Sequence, residues 1–299
     1  MIKAGIAGAA SQRSGELIRI LVNHPEVEIR TLYAPERTGE SVDSVHHGLI
    51  GETDMKFSDR LDIGGLDVVF IDDCAEADSI LAAIDSAGEK APRAVDMTGR
   101  AAGREGYVCG VSELFRKSMV RGATRAYVPS AAAVVALVAL YPLAANLMLS
   151  APLAISVSAP ASADLTGCGE EVAGILSSVQ QSFTGGVEVT AGEPEPGRGL
   201  RLRARIASAM QPVDIAALYE AIYDDHRFTF LSQLPLHIRE VEGTEKCLLH
   251  ISKPDPGSIE IDAIADGCLR GGAGDAVHAM NLLFALHEKT GLAFKASNF

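Results

Sequence analysis

The chain has 299 residues, 47% of them hydrophobic and 22% charged, which is enough for two globular domains with real cores and excludes a disordered or fibrous chain. Lys and Arg total 26 against 39 Asp and Glu, a formal charge of -13 that repels polyanions and argues against a nucleic-acid partner. The five cysteines show no Cys-x-x-Cys spacing, so neither a disulfide framework nor a metal site is expected, and a reducing cytoplasm is the natural compartment.

Residues 2–9 read as a short strand running into a glycine turn. Leu17, Ile18, Ile20 and Leu21 recur at helical spacing over 16–23, and 27–32 is a second strand. The first residues carry one lysine and a short run of small residues, which suits strand and turn better than a signal peptide. Residues 66–71 are a continuous apolar strand, 75–87 a helix and 94–97 another strand, so the elements alternate as a parallel sheet requires. Residues 1–128 therefore read as a doubly wound, Rossmann-like α/β domain. From 131 to 149 the chain is apolar enough to pass for a membrane span, but Pro142 and Asn146 interrupt it and no polybasic flank anchors it, so no membrane partner is expected. Beyond it, 153–159, 186–190, 200–206 and 247–252 read as strands and 170–183 and 213–223 as helices, a second and largely antiparallel α+β domain over 129–269. Residues 192–199 form a turn-rich exposed loop, and 275–287 a last amphipathic helix.

Two stretches carry chemistry. Gly5 and Gly8, with Ser11, Gln12 and Arg13 at the tip, lie between a strand and a helix, the setting in which a glycine turn lets backbone N–H groups approach a pyrophosphate. Val128-Pro129-Ser130-Ala131 opens the apolar run, and near the other end stands Asp266-Gly267-Cys268-Leu269-Arg270-Gly271-Gly272-Ala273-Gly274-Asp275-Ala276-Val277.

Taken with Asn23-His24-Pro25 and Val45-His46-x-Gly48-Leu49-x-Gly51-Glu52-Thr53, these blocks resemble the N-acetyl-gamma-glutamyl-phosphate reductases of arginine biosynthesis over roughly the whole chain. The resemblance implies a Rossmann-like domain completed by the C-terminal segment 270–299, a second domain of the glyceraldehyde-3-phosphate-dehydrogenase type, a helix buried between domains at 131–149, NADP as the family's cofactor, and homo-oligomers. It also implies NADPH-dependent reduction of an acyl phosphate through a thioester, for which the family's Asn-Pro-Gly-Cys supplies the thiolate. Here Ala131 stands at that position, and a methyl group attacks nothing. The family's His-x-His-x-Pro-Glu-Ile segment, which holds the general acid and base, is missing, and all eight histidines read as structural. In the glycine turn, Ser11, Gln12 and Arg13 replace the family's glycine, tyrosine and threonine. Ala34-Pro35 replaces a polar pair that meets the cofactor ribose. The family's Leu-Pro-His-Gly has become Asp72-Asp73-Cys74-Ala75-Glu76, three acids that oppose phosphates. Cofactor binding is therefore expected to be weak or absent.

Arg37 reads either as a phosphate contact or as a solvated loop residue, and Arg198 either as a substrate contact or as a turn residue. Arg100, Arg198 and Arg270 are the candidate anion contacts. Ser130 reads as a helix N-cap without a base, and Cys168 as a small buried hydrophobe. Two functions follow: a catalytically degenerate family member kept as a structural or regulatory partner, for example of an active paralogue, or an enzyme or metabolite-binding module using altered chemistry on a nucleotide or acyl phosphate.

Overall fold

The computed structural model describes residues 1–161 and 163–296 and divides into two compact units. The first, Met1–Pro129 with Gly272–Ala293, begins with β1 (Ile2–Ala7), α1 (Gln12–Leu21), β2 (Val27–Tyr33), β3 (Val68–Ile71), α2 (Ala77–Ser86), β4 (Arg93–Asp96), β5 (Tyr107–Cys109), α3 (Ser112–Val120) and β6 (Arg125–Tyr127). Its six strands are parallel, in the order β2-β1-β3-β4-β6-β5. The order reverses at β1, and the glycine turn leaves the carboxyl end of that strand. Ligands of open α/β sheets bind at such a switch point. Val68, Val69, Phe70 and Ile71 of β3 are all buried, as a strand covered on both faces must be.

The second unit is Ser130–Gly271 together with residues 294–296. It holds α4 (Ala131–Ala145), β7 (Leu153–Ser158), α5 (Cys168–Val179), β8 (Val187–Ala191), β9 (Gly199–Ala207), α6 (Pro212–Tyr223), β10 (Thr229–Leu231), β11 (Cys247–Asp255) and β12 (Ser258–Asp266). The sheet order is β10-β11-β12-β9-β7-β8, with antiparallel ladders in the middle and a parallel pair at each edge. Helix α4 is apolar on every side and packs within this unit on β9, β11, β12, α5 and α6. No helix among the described residues is long and apolar enough to cross a membrane.

Pro142 lies inside α4, where its missing N–H leaves the Val138 carbonyl without the usual helical donor. The Tyr223 hydroxyl of α6 donates to that carbonyl at 2.6 Å, and Tyr219 donates to Ala139 O one residue on. The imperfection in one helix is met by the side chains of another.

The last helix, α7 (Gly274–Leu283), lies in the first unit and does not extend to 287. Nor is the helix amphipathic in the expected sense, since all ten residues are buried. Its polar positions serve an internal network instead. Asn281 donates to Glu288 O and Thr290 O and takes the Nε2–H of His24 at 3.1 Å, while His278 meets Glu288 at 2.9 Å.

Candidate functional site

The glycine turn keeps its frame. Gly8 sits at φ +73°, and a Cβ there would lie 2.8 Å from Asp73 O, so the turn and its close passage over the end of β3 both require glycine. Ser11 is the N-cap of α1, its hydroxyl accepting from Ser14 N at 3.0 Å. His46 buttresses the turn from below, its Nε2–H donating to Ala9 O at 2.8 Å, a role that its sequence neighbourhood did not reveal.

What occupies the mouth of the turn is a carboxylate. Asp72, the residue after β3, is fully buried. Its Oδ1 accepts from Arg13 NH2 at 2.5 Å, and its Oδ2 accepts from the Ser14 hydroxyl at 3.2 Å and from the Ser11 hydroxyl. Arg13 spends its other terminal nitrogen on Met97 O at 2.8 Å. The N-terminal turn of a helix carries a partial positive charge and orphan donors that welcome an anion. Here the side-chain donors at that end already have one. The residues present do not fit a dinucleotide pyrophosphate, which would meet a carboxylate of like sign and hydroxyl and guanidinium groups committed elsewhere.

The neighbouring acids are answered by arginines. Arg100 donates to Asp78 at 2.7 Å and to Asp73 at 3.4 Å. It stands on a loop organised by buried Asp96, which accepts from Thr98 N, Thr98 Oγ1 and Ala101 N. Arg37 pairs with Glu40 at 3.5 Å, and Ala34 is buried.

In the second unit, Ala131, which the resemblance puts at the nucleophile position, is the first residue of α4. The backbone around it is tightly built. Gly271, at φ +68°, passes so close that a Cβ would fall 2.2 Å from Ala131 Cα, which explains a glycine in the Arg270-Gly271 pair. Ser130 does not cap the helix with its side chain. Its hydroxyl donates instead to Glu171 Oε2 at 2.7 Å, and its N–H points at the same carboxylate, 3.2 and 3.3 Å from the two oxygens. A carboxylate from the first turn of α5 therefore reaches the N-cap residue of α4, and Ser130 has a potential base after all. That pairing spans 41 residues of chain and left no local signal.

Cys168, at the start of α5, is buried, and burial together with Glu171 and Glu170 pushes its thiol up to about 11. It is a thiol, not a thiolate, at neutral pH.

Arg198 gives its Nε to Asp266 at 3.0 to 3.1 Å, and the same buried acid accepts Gly243 N and Cys268 N. Arg270 lies in a π-helical turn, Leu269–Ala273, fully buried against fully buried Glu245 at 3.4 Å. Such a pair is sealed from solutes, and its guanidinium serves the core. The two arginines thus face different acids, and Arg100 belongs to the other unit.

The histidines have structural partners: His24 with Asn281, His46 with Ala9 O, His47 with Asp43 O, His250 with Ser232 O and His278 with Glu288. His226 packs its ring edge-on to Tyr223, His237 closes a capping box with Glu240, and His287 Nδ1 accepts Lys289 N. No group of three or more His, Cys, Asp or Glu among the described residues is arranged to hold a metal ion.

Comparison with known proteins agrees with this layout. Residues 3–121 match the family described as semialdehyde dehydrogenase, NAD binding domain. Among solved structures, aspartate semialdehyde dehydrogenase II of Vibrio cholerae superposes with a TM-score of 0.71 at 13% identity, over 95% of this chain and 98% of the other. The NADP complex of the Candida albicans aspartate semialdehyde dehydrogenase gives 0.70 at 12%, over 95% and 99%. At those identities the likeness establishes the fold: a Rossmann domain joined to a second domain of the glyceraldehyde-3-phosphate-dehydrogenase type. The sequence relatives are more specific. N-acetyl-gamma-glutamyl-phosphate reductases from Parabacteroides distasonis and Azobacteroides pseudotrichonymphae are 32% and 31% identical, each over the full length of both chains. With a glycine turn at the switch point of one unit and a close-packed helix start at Ala131 in the other, the chain belongs to the N-acetyl-gamma-glutamyl-phosphate reductase family.

Proposed function

We propose that this family member has lost the reductive chemistry of its relatives and persists as a cytoplasmic structural or regulatory protein, assembled with copies of itself or with an active paralogue. The observation that carries the reading is Ala131 at the head of α4. Reduction of an acyl phosphate to an aldehyde passes through a thioester, which needs a thiolate. Cys168 is buried and protonated, and every histidine already has a structural task. NADP is the cofactor of the family reaction; here we take its binding to be weak or absent.

One observation favours a second reading, in which the site handles an acyl phosphate by altered chemistry. The Ser130 hydroxyl bonded to Glu171 is a nucleophile beside a carboxylate base. Attack of Ser130 Oγ on the acyl carbon would release phosphate, with the hydroxyl proton passing to Glu171. Water would then cleave the serine ester, for a net hydrolysis without redox change.

A single experiment separates the two. N-acetyl-gamma-glutamyl phosphate is supplied with NADPH, and both NADPH oxidation and phosphate release are followed. The first reading expects reduction slower than an ordinary family member by about 10⁴-fold or more, as when a catalytic nucleophile is removed, and phosphate release at the rate of the uncatalysed control. Reduction within about a hundredfold of a relative refutes the loss of chemistry. Phosphate release that disappears in Ser130→Ala, without NADPH oxidation, selects the second reading.

A further inference from the structure

Three of the positions at which this chain departs from its family pattern are the ones that bond to one another. By the resemblance Ser11 and Arg13 stand at a glycine and a threonine position and Asp72 in the Leu-Pro-His-Gly segment, and Ser11 and Arg13, 61 and 59 residues away, both bond Asp72 across the β3 end. Of the three, Asp72 alone would harm the fold. A buried aspartate without donors, at the end of a strand covered on both faces, is costly, and a serine and an arginine at the turn would crowd a bound pyrophosphate. Together they satisfy one another. The carboxylate receives Ser11, Ser14 and Arg13, and Arg13 is tied down further by Met97 O.

We infer that Asp72 has taken over the anion position at the N-terminus of α1, so that the chain carries, built in, the negative charge that a dinucleotide pyrophosphate brings in a cofactor-binding relative. The turn no longer waits for a ligand to complete it. Gly8 and the close packing it permits serve the turn itself, while the side chains of Ser11 and Arg13 at its tip bond to Asp72. The same arrangement recurs in the other unit, where Glu171 supplies a carboxylate to the N-cap residue of α4. An anion entering the α1 site must displace Asp72 from three side-chain donors or sit beside the Asp72–Arg13 pair, whose cation is already taken, and either penalty acts before any contact with the rest of the ligand is counted.

The inference deepens the weak cofactor binding proposed above and stands apart from the loss of the nucleophile. It is tested on the full-length protein by calorimetry with NADPH and with inorganic pyrophosphate. The wild type is expected to show no binding of either up to about millimolar concentration. Asp72→Asn removes the charge, keeps the shape and releases Arg13 to face the turn, and its affinity for pyrophosphate is expected to rise at least about tenfold, equivalent to 1.4 kcal/mol. Where that variant unfolds, the triple variant Ser11→Gly, Arg13→Thr, Asp72→Leu returns all three positions to the family residues and is expected to gain NADPH binding. Micromolar binding of NADPH by the wild type overturns the inference, as does a variant that unfolds cooperatively like the wild type yet gains no affinity. A wild type that binds NADPH tightly and still reduces nothing removes this inference alone and leaves the role of Ala131 intact.

Discussion

At the scale of single residues, the head of α4 shows how much chemistry one side chain carries. On the proposed reading the Ala131 methyl stands where a thiolate would be needed, and that reading comes from the resemblance around Pro129 and the apolar run. Its surroundings were not readable in the same way. Ser130 looked like a routine N-cap because serine at a helix start usually bonds the next turn. Here Glu171 outcompetes the backbone for its hydroxyl, a choice decided by the packing of α5 against α4. The lock at Asp72 was half legible: the departures at Ser11, Arg13 and Asp72 could be seen one by one, but their pairing needed the fold. The state of Cys168 is likewise a product of burial. With its thiol pushed up to about 11, the thiolate fraction at pH 8 is about one in a thousand. Alkylation of Cys168 by iodoacetamide is therefore expected to be slow at pH 8 and to rise about tenfold per pH unit toward pH 10 in the folded protein. A mass-spectrometric rate that levels off below pH 9 would mean that the thiol is neither as buried nor as protonated as described.

At the scale of elements, the hydrophobic pattern found most of the long units and the buried strands β3 and β4, and missed others. The strands β5 and β6 have three residues each, too few to establish any period. β12 was missed for a different reason. Ser-Ile-Glu-Ile-Asp alternates as a half-exposed strand does, but Ala263, Ile264 and Ala265 are then all buried, because α4 lies on one face and Leu236, Ile238 and Val241 cover Ile264 on the other. The reverse error befell α7, whose polar residues suggested a solvated face and turned out to be internal hydrogen-bonding groups. Helix α4 offers the sharpest test at this scale. Its Val138 carbonyl depends on Tyr223 only because Pro142 cannot donate. Tyr223→Phe is expected to destabilise the protein by about 1–3 kcal/mol, the cost of a buried acceptor left unpaired. In a Pro142→Ala background the helix can supply its own N–H to Val138 O, and the cost should fall by about 1 kcal/mol. Denaturant unfolding of the four proteins measures the coupling, and strict additivity would show that the tyrosine contributes by packing alone.

At the scale of the whole molecule, the alternation along the second sheet bears on assembly. The apolar residues of β9 and β12, Leu200, Leu202, Ala204, Ile206, Ile259, Ile261, Ala263 and Ala265, are buried in the unit's own core. The opposite face carries Arg201, Arg203 and Arg205 on β9 against Asp262 and Glu260 on β12, with Arg201 and Arg203 both reaching Asp262 and Arg205 reaching Glu260 at 3.2 Å. Burial of apolar area therefore supplies little reason for copies to associate through this sheet, while a ladder of alternating charge can pair with its own symmetry mate when arginines of one copy meet acids of the other. An assembly built on that face is held by interactions with a range of about 10 Å at 0.1 M salt and about 3 Å at 1 M. Sedimentation at micromolar concentration is accordingly expected to show a dimer or larger species in dilute buffer that shifts toward the single chain at 1 M sodium chloride, with Arg203→Glu weakening it at low salt. An assembly indifferent to salt would have to use another surface, and a monomer under all conditions would leave the proposed structural partnership without a physical basis, since the charges along β9 would then be ordinary solvated side chains.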